Sequence, residues 1–365
     1  MFITKDDRIT ANQAMASMTC TTLGAGLLVM PRVLVQDVGT PDVWLTLLLT
    51  GILVVLALIF FIKLSEKFPK QTLYQYSSRI IGKPLGNLVC LLFCLYLLLT
   101  SAYELRILSE VIVFYLLEGT PKWAIVIPIM LVSYYLLLGG VNAMMRLFQI
   151  VLPITIIIII IVYGLSFSMF HIDNLKPVFG SGIAPVFNGS LHSFNSFAGY
   201  ELVAIYYAYM NEPKKAIKSF AIGLGLVVVI YLIALILVIG SLSLEAGMLS
   251  TWPTIDLVRN YELKGFFFER IEILFLVIWV MQLFCAFTSM YYGASLGLSH
   301  VLRYKKRPII LSLLPICYII TMLPRNINDI TVLGDVNSYF CIIMFIIAVL
   351  LYIVYHIRKK VIVHA

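Results

Sequence analysis

Apolar residues run along this chain in long blocks, each separated from the next by a short polar or basic stretch. Ten blocks stand out, at about 10–35, 43–63, 84–117, 123–138, 144–170, 184–209, 216–242, 268–302, 309–323 and 332–357. An α-helix needs about 20 residues to cross the hydrocarbon of a bilayer, and longer ones fit by tilting. The run Ile156–Ile161 is apolar on every side, as suits a helix surrounded by lipid and protein rather than water. The pattern predicts an all-α polytopic membrane protein with ten transmembrane helices in one domain, residues 1–365.

Two blocks carry residues that a plain spanning helix would avoid. The first contains Thr22-Leu23-Gly24-Ala25-Gly26 and then Pro31; the sixth contains Asn195-Ser196-Phe197-Ala198-Gly199-Tyr200-Glu201. Glycine disfavours a helix interior and proline removes a backbone donor. Inside a bilayer such breaks survive only against protein or a water-lined cavity. Helices 1 and 6 are therefore predicted to be discontinuous. The chain divides into five spans over about 10–170 and five over about 184–357. With an odd number per half, the second half enters the membrane from the opposite side. A shared fold would make the halves a 5+5 inverted repeat, and paired breaks at the head of each half mark a midplane binding site.

Composition agrees: 61% of the 365 residues are hydrophobic and 12% charged, against about 45–50% and about 25% in soluble domains. The net charge of +8 is a matter of topology. Lys and Arg concentrate near Lys5–Arg8, Lys63–Lys83, Lys214–Lys218, Arg303–Arg307 and Arg358–Lys360, all on one side of a ten-span layout. The positive-inside rule puts that side, and both termini, in the cytoplasm. Nothing in this distribution points to nucleic acid. Polar residues run to about Gln13 before the first span, so the first helix is expected to act as the insertion signal. The six cysteines lie in apolar blocks without metal-type spacing and read as small buried side chains.

The break in the first span exposes backbone N–H groups near Ala25–Leu28, which could hold a carboxylate with help from the helix dipole. The competing reading is a small-residue packing face, although an i,i+2 pair does not keep one helix face. Glu201 ends the second break; a mid-membrane carboxylate either serves function or caps nearby N–H groups. Glu104, Arg106 and Glu110 share the third span, and the i,i+4 spacing of Arg106 and Glu110 favours a structural ion pair toward its outer end. Tyr96, Thr100 and Tyr103 share a face that could line a cavity or pack, and Ala286 and Met290 share one on span 8. His171, His192 and His300 are scattered, so no metal is expected. No nucleotide, hydrolase or metalloprotease motif stands in a suitable context, so neither enzyme chemistry nor a cofactor is expected.

Several stretches carry a more specific resemblance: Leu23-Gly24-Ala25-Gly26-Leu27-Leu28 with Pro31-Arg32, Thr40-Pro41-Asp42 with Trp44, Gly139-Gly140 with Arg146-Leu147-Phe148, and Asn174-Leu175 with Pro177-Val178. Trp252-Pro253-Thr254-Ile255 and Glu262-Leu263-Lys264-Gly265 with Glu269-Arg270 are the most discriminating. Over nearly its whole length the chain resembles the amino acid–polyamine–organocation superfamily with its LeuT-like fold, and within it the B subunits of GerA-type spore germinant receptors. The resemblance implies a sensor in the spore's inner membrane. It would bind a small germinant, often an amino acid, beside a membrane-spanning A subunit and a lipoprotein C subunit, leading to ion release. It also implies a pocket between spans 1, 3, 6 and 8, bounded by Gly24, Ala25, Gly26, Tyr96, Thr100, Phe197, Ala198, Gly199, Ala286 and Met290. Glu201, Glu104 and Arg106 are candidates for a polar or gating role. The alternative is a secondary amino-acid transporter. The basic residue common on span 5 of sodium-independent members has no counterpart here, because Arg146 lies too near the cytoplasmic end.

Overall fold

A computed structural model of the chain describes residues 7–180, 182–260 and 271–362. Helices fill it: α1 (Ala11–Thr22), α2 (Gly26–Val38), α3 (Val43–Ser65), α4 (Leu73–Ile81), α5 (Lys83–Tyr115), α6 (Lys122–Leu138), α7 (Gly140–Ser166), α8 (Ala184–His192) and α9 (Val203–Tyr206). They continue with α10 (Ala216–Leu242), α11 (Leu244–Leu249), α12 (Pro253–Arg259), α13 (Ile271–Leu302), α14 (Lys306–Met322) and α15 (Ile327–Ile362). Among the described residues there is no strand beyond an isolated bridge between Ile9 and Met210. That bridge ties the entry of α1 to the exit of the second broken segment.

Among the described residues, six helices are long and apolar enough to cross a membrane: α3, α5, α7, α10, α13 and α15. The pair α1–α2 makes a seventh span, bent by 49° at its break. Apolar side chains cover the outside of the bundle, among them Ile52, Leu56, Ile150, Ile157 and Leu350. Water would penalise such a surface, whereas lipid does not. The protein is therefore an integral membrane protein.

The remaining predicted spans take a different form. Helices α6 and α14 are each 17 residues long. The sixth block is an α-helix followed by 3₁₀ turns at Ser193–Phe197, Tyr200–Leu202 and Tyr207–Tyr209, with α9 only four residues long. Helix α15 begins at Ile327 and α7 at Gly140, each several residues before the predicted start. The predicted start of span 8 and the Glu262–Gly265 and Glu269-Arg270 motifs lie outside the described residues.

Local chemistry accounts for the break in the first span. Thr10 and Gln13 close α1 with a reciprocal capping box, their side chains bonding to each other's backbone N–H. Twelve residues later the helix runs into Gly24 and Gly26. Helix α1 is enclosed by α7, α10 and α13, while α2 leans on α8, α11 and α12. The most extensive helix pairing among the described residues joins α5 to α13. This pair stands behind the glycines of both breaks, with Glu104 of α5 and Ala286 of α13 at Gly24 and Met290 of α13 at Gly199. All six cysteines are buried and free.

Candidate functional site

Each break leaves backbone groups without helical partners, and specific side chains supply them. The Tyr231 hydroxyl, on α10, lies 2.8 Å from the Thr22 carbonyl at the end of α1 and 3.1 Å from the Ser196 carbonyl in the second break. One buried hydroxyl thus spans both breaks. Pro31 cannot donate to the carbonyl four residues back, which leaves Leu27 short of a bond. The Thr254 hydroxyl donates to that carbonyl at 2.8 Å. The Trp252-Pro253-Thr254 stretch, at the start of α12, therefore repairs the broken helix.

The N–H of Ala25, at the start of α2, donates to the Glu104 carboxylate at 2.8 Å. This corrects the expected role of Glu104. It takes no part in the ion pair farther along α5, which joins Arg106 to Glu110 at 2.8 Å, with Lys122 on the same carboxylate at 2.5 Å. Arg106 also donates to the Thr321 carbonyl. The two groups separate because residues two apart on a helix point to different faces. Arg106 faces α14, and Glu104 faces the break. The seat envisaged for a ligand carboxylate is thus occupied by the protein's own.

At the second break Gly199 adopts φ +113°, a left-handed conformation that disfavours side chains. Its N–H donates to both oxygens of Glu201, at 3.0 and 3.1 Å. The Tyr96 hydroxyl faces the Glu201 carboxylate without forming a hydrogen bond of good geometry. Thr21 and Ser289 pair at 2.7 Å, and Tyr206 donates to Ser289 at 3.0 Å, fastening α1 to α13 just before the first break.

Close approach explains the glycines. A β-carbon on Gly24 would overlap the Glu104 carboxylate and come within 2.7 Å of the Ala286 methyl. One on Gly199 would lie 2.8 Å from Thr21 and 3.0 Å from Met290. Ala286 and Met290 thus press on the two breaks from α13. Phe197 packs on Tyr231, with ring centres 5.3 Å apart.

A small cavity of about 40 Å³ opens between these elements. Ala25, Gly26, Thr100 and Ala198 line it, as anticipated, and so does Glu104. Gly24, Tyr96, Phe197, Gly199, Ala286 and Met290 do not; they form the packed layer behind it. The fourth wall is α15, through Thr331, Gly334, Asp335 and Ser338, rather than α13. Asp335 escaped the sequence reading, although an acid inside an apolar block is the signal that should have drawn attention to it. Tyr231 and Thr254 were missed as well, since nothing local marks the distant carbonyls they serve.

The carboxyl groups of this cavity have no basic counterpart in its wall. Glu104 and Asp335 line it with Tyr103 beside both, and no Lys, Arg or His does. Asn195 also lines it, with its side-chain oxygen buried and unpartnered. The arrangement offers hydrogen-bond acceptors and two acidic groups. It suits a ligand that brings N–H donors and positive charge. A second small cavity, sharing Val29, Val33, Tyr103 and Thr331 with the first, leads from it to Arg32 and Trp252. The described residues contain no group of three or more His, Cys, Asp or Glu that could hold a metal ion.

A family model described as spore germination protein matches residues 8–330. Spore germination protein YndE of Bacillus subtilis (strain 168) is 41% identical over 354 residues, which is 97% of this chain and 98% of the relative. Spore germination protein A2 of the same organism is 32% identical over 353 residues, 96% of each chain. Among solved structures, MhsT in complex with L-phenylalanine superposes with a TM-score of 0.75 at 12% identity, covering 94% of this chain and 89% of that one. The helices are thus arranged in a LeuT-like fold.

Proposed function

The chain belongs to the spore germination protein family, as a B subunit of the GerA type, and from that premise we propose that it senses a small germinant carrying an ammonium group. An amino acid is the simplest such molecule. The observation that carries this reading is Glu104. Its carboxylate is fixed by the Ala25 N–H through one oxygen, and it lines a cavity that contains a second acid and no base. Charge-assisted hydrogen bonds are among the strongest a site can offer. The MhsT complex with L-phenylalanine adds support for the amino-acid class on this fold.

We further propose ten spans in a 5+5 inverted repeat, over about 10–170 and 184–357, with the basic connections and both termini on the cytoplasmic side of the spore's inner membrane. In that frame α6 and α14 cross the bilayer as short helices, and the segment from α8 to Tyr209 crosses as a broken one. The Trp252 segment then roofs the site on the outer side.

A cavity of about 40 Å³ holds little more than a water molecule. An amino acid therefore binds an arrangement in which the breaks have moved apart. Ligand shifts the equilibrium toward that arrangement by its differential affinity. Full conversion from a one-per-cent population needs about a 10⁴-fold preference, or about 5.5 kcal/mol. Tyr231, which holds both breaks, is positioned to couple them. The membrane-spanning A subunit and the lipoprotein C subunit would read the change, and ion release would follow.

The test uses spores that lack their own B subunit and carry this chain instead. The nutrients that trigger germination define the ligand, and Glu104→Gln, which can still accept from Ala25, should abolish or strongly weaken the response while the protein accumulates. An unchanged response would overturn the assignment. The transporter reading keeps one specific support, its LeuT-like fold. Stoichiometric uptake of the same nutrient by the purified chain in liposomes would favour it.

A further inference from the structure

A far larger cavity than the one at the breaks lies elsewhere. It measures about 770 Å³ and lies at the basic end, between α4, the start of α5 and the turn from α13 into α14. Arg79, Lys83, Arg303 and Lys305 line it together with His300 and Lys306, and no Asp or Glu does. Lys306 is partly engaged, lying 5.0 Å from the centre of the Tyr292 ring and within electrostatic reach of Asp7. Arg79, Lys83, Arg303 and Lys305 are all exposed. Among the described residues none of these four forms an ion pair.

Topology alone does not require this arrangement. Basic residues spread along loops satisfy the positive-inside rule wherever they fall. Lys215, at the same end, pairs with Glu212, and neither Lys214 nor Lys218 lines this cavity. Here three separate elements bring four free cations into one concave space. A bound anion would relieve their mutual repulsion.

An apolar track starts at the rim. Leu85, Leu88, Leu91 and Leu95 follow Lys83 along α5, exposed by 56, 52, 44 and 44%. Their spacing keeps them on one side of the helix, and ten residues of helix extend about 15 Å. A soluble phosphate would have no use for such a track, whereas a lipid chain would lie along it. We propose that this cavity is a headgroup site for an anionic phospholipid, its phosphate held by Arg79, Lys83, Arg303 and Lys305 and an acyl chain lying on the leucines of α5. Helix α4 contributes Arg79 and is anchored by the Tyr74 hydroxyl, which donates to the Gly293 carbonyl of α13 at 2.8 Å. The bound lipid would therefore join α4 to α13, the helix that presses on both breaks.

The test is made on the full chain, purified and stripped of lipid in a neutral detergent. Phosphatidylglycerol, phosphatidylcholine and inorganic phosphate are added in separate arms, and bound mass and thermal midpoint are read. Phosphatidylglycerol should be retained and should raise the midpoint, and the other two should not. Each charge removed by Arg79→Gln, Lys83→Gln, Arg303→Gln or Lys305→Gln should weaken its binding by about fivefold. Lys214→Gln with Lys218→Gln should leave it unchanged. Four separate single variants carry the test if any one of them fails to accumulate. Equal retention of phosphatidylcholine, a shift with phosphate alone, or equal loss in the Lys214/Lys218 control would overturn the proposal.

Discussion

Glu104 and Glu201 are the same chemical group beside the same kind of helix break, yet they are used differently. Glu201 is fully buried and directs both oxygens to Gly199, two residues away. It closes the break it belongs to. Glu104 is 5% exposed and reaches across 79 positions of sequence to cap a helix other than its own. It also lines the cavity. A carboxylate spent on its own turn is structural. One held by a single N–H at a cavity wall can take a second partner. The glycines at the two breaks look alike in the sequence, but only the first break has an acid facing the open side.

This contrast can be broken by exchanging charge for an amide. Gly24→Leu should have the largest effect, because its side chain would displace the Glu104 carboxylate outright. The germinant response should disappear while an immunoblot of the spore membrane still detects the protein. Next, Glu104→Gln should raise the germinant concentration for half-maximal response roughly ten- to hundredfold, the loss expected for a charged hydrogen bond. Glu201→Gln should move that concentration far less and instead lower the thermal midpoint. Equal effects of the two amides on the dose response would erase the distinction.

Smaller changes sharpen it. Thr254→Val leaves the Leu27 carbonyl without its partner, which should cost about 1–3 kcal/mol of stability. Thr254→Ser should recover most of that in the same melting experiment. Asp335→Asn, at the exposed rim of the cavity, should shift the dose response only about two- to fivefold, as for other solvent-screened charges. A shift as large as that of Glu104→Gln would move the centre of recognition to α15.

Much of this arrangement could be read along the chain, and the reason is physical. Gly24, Gly26 and Gly199 are costly inside a membrane helix, so their positions announce the breaks without any three-dimensional information. Pro31 likewise announces an unpaired carbonyl at Leu27. Which group answers each defect could not be read, because the answers come from Thr254, Tyr231 and Glu104, far away in sequence and unremarkable locally. Glu104 was grouped with Arg106 on proximity along α5, but the helical turn sends them to different neighbours. The span 8 side of the pocket was assigned to Ala286 and Met290, which pack behind the glycines. Asp335 was legible as an acid in an apolar block. Its meeting with Glu104 depends on how α15 packs against α5.

Everything proposed for the site depends on Glu104 recognising an ammonium group. The most direct test is the binding of free L-amino acids and their N-acetyl derivatives to the purified chain, measured by calorimetry on the native protein and on Glu104→Gln. The native protein should bind the free amine of at least one amino acid and fail to bind its acetylated form, and Glu104→Gln should lose that preference. Equal binding of the acetylated form, or a preference that survives in Glu104→Gln, would contradict it.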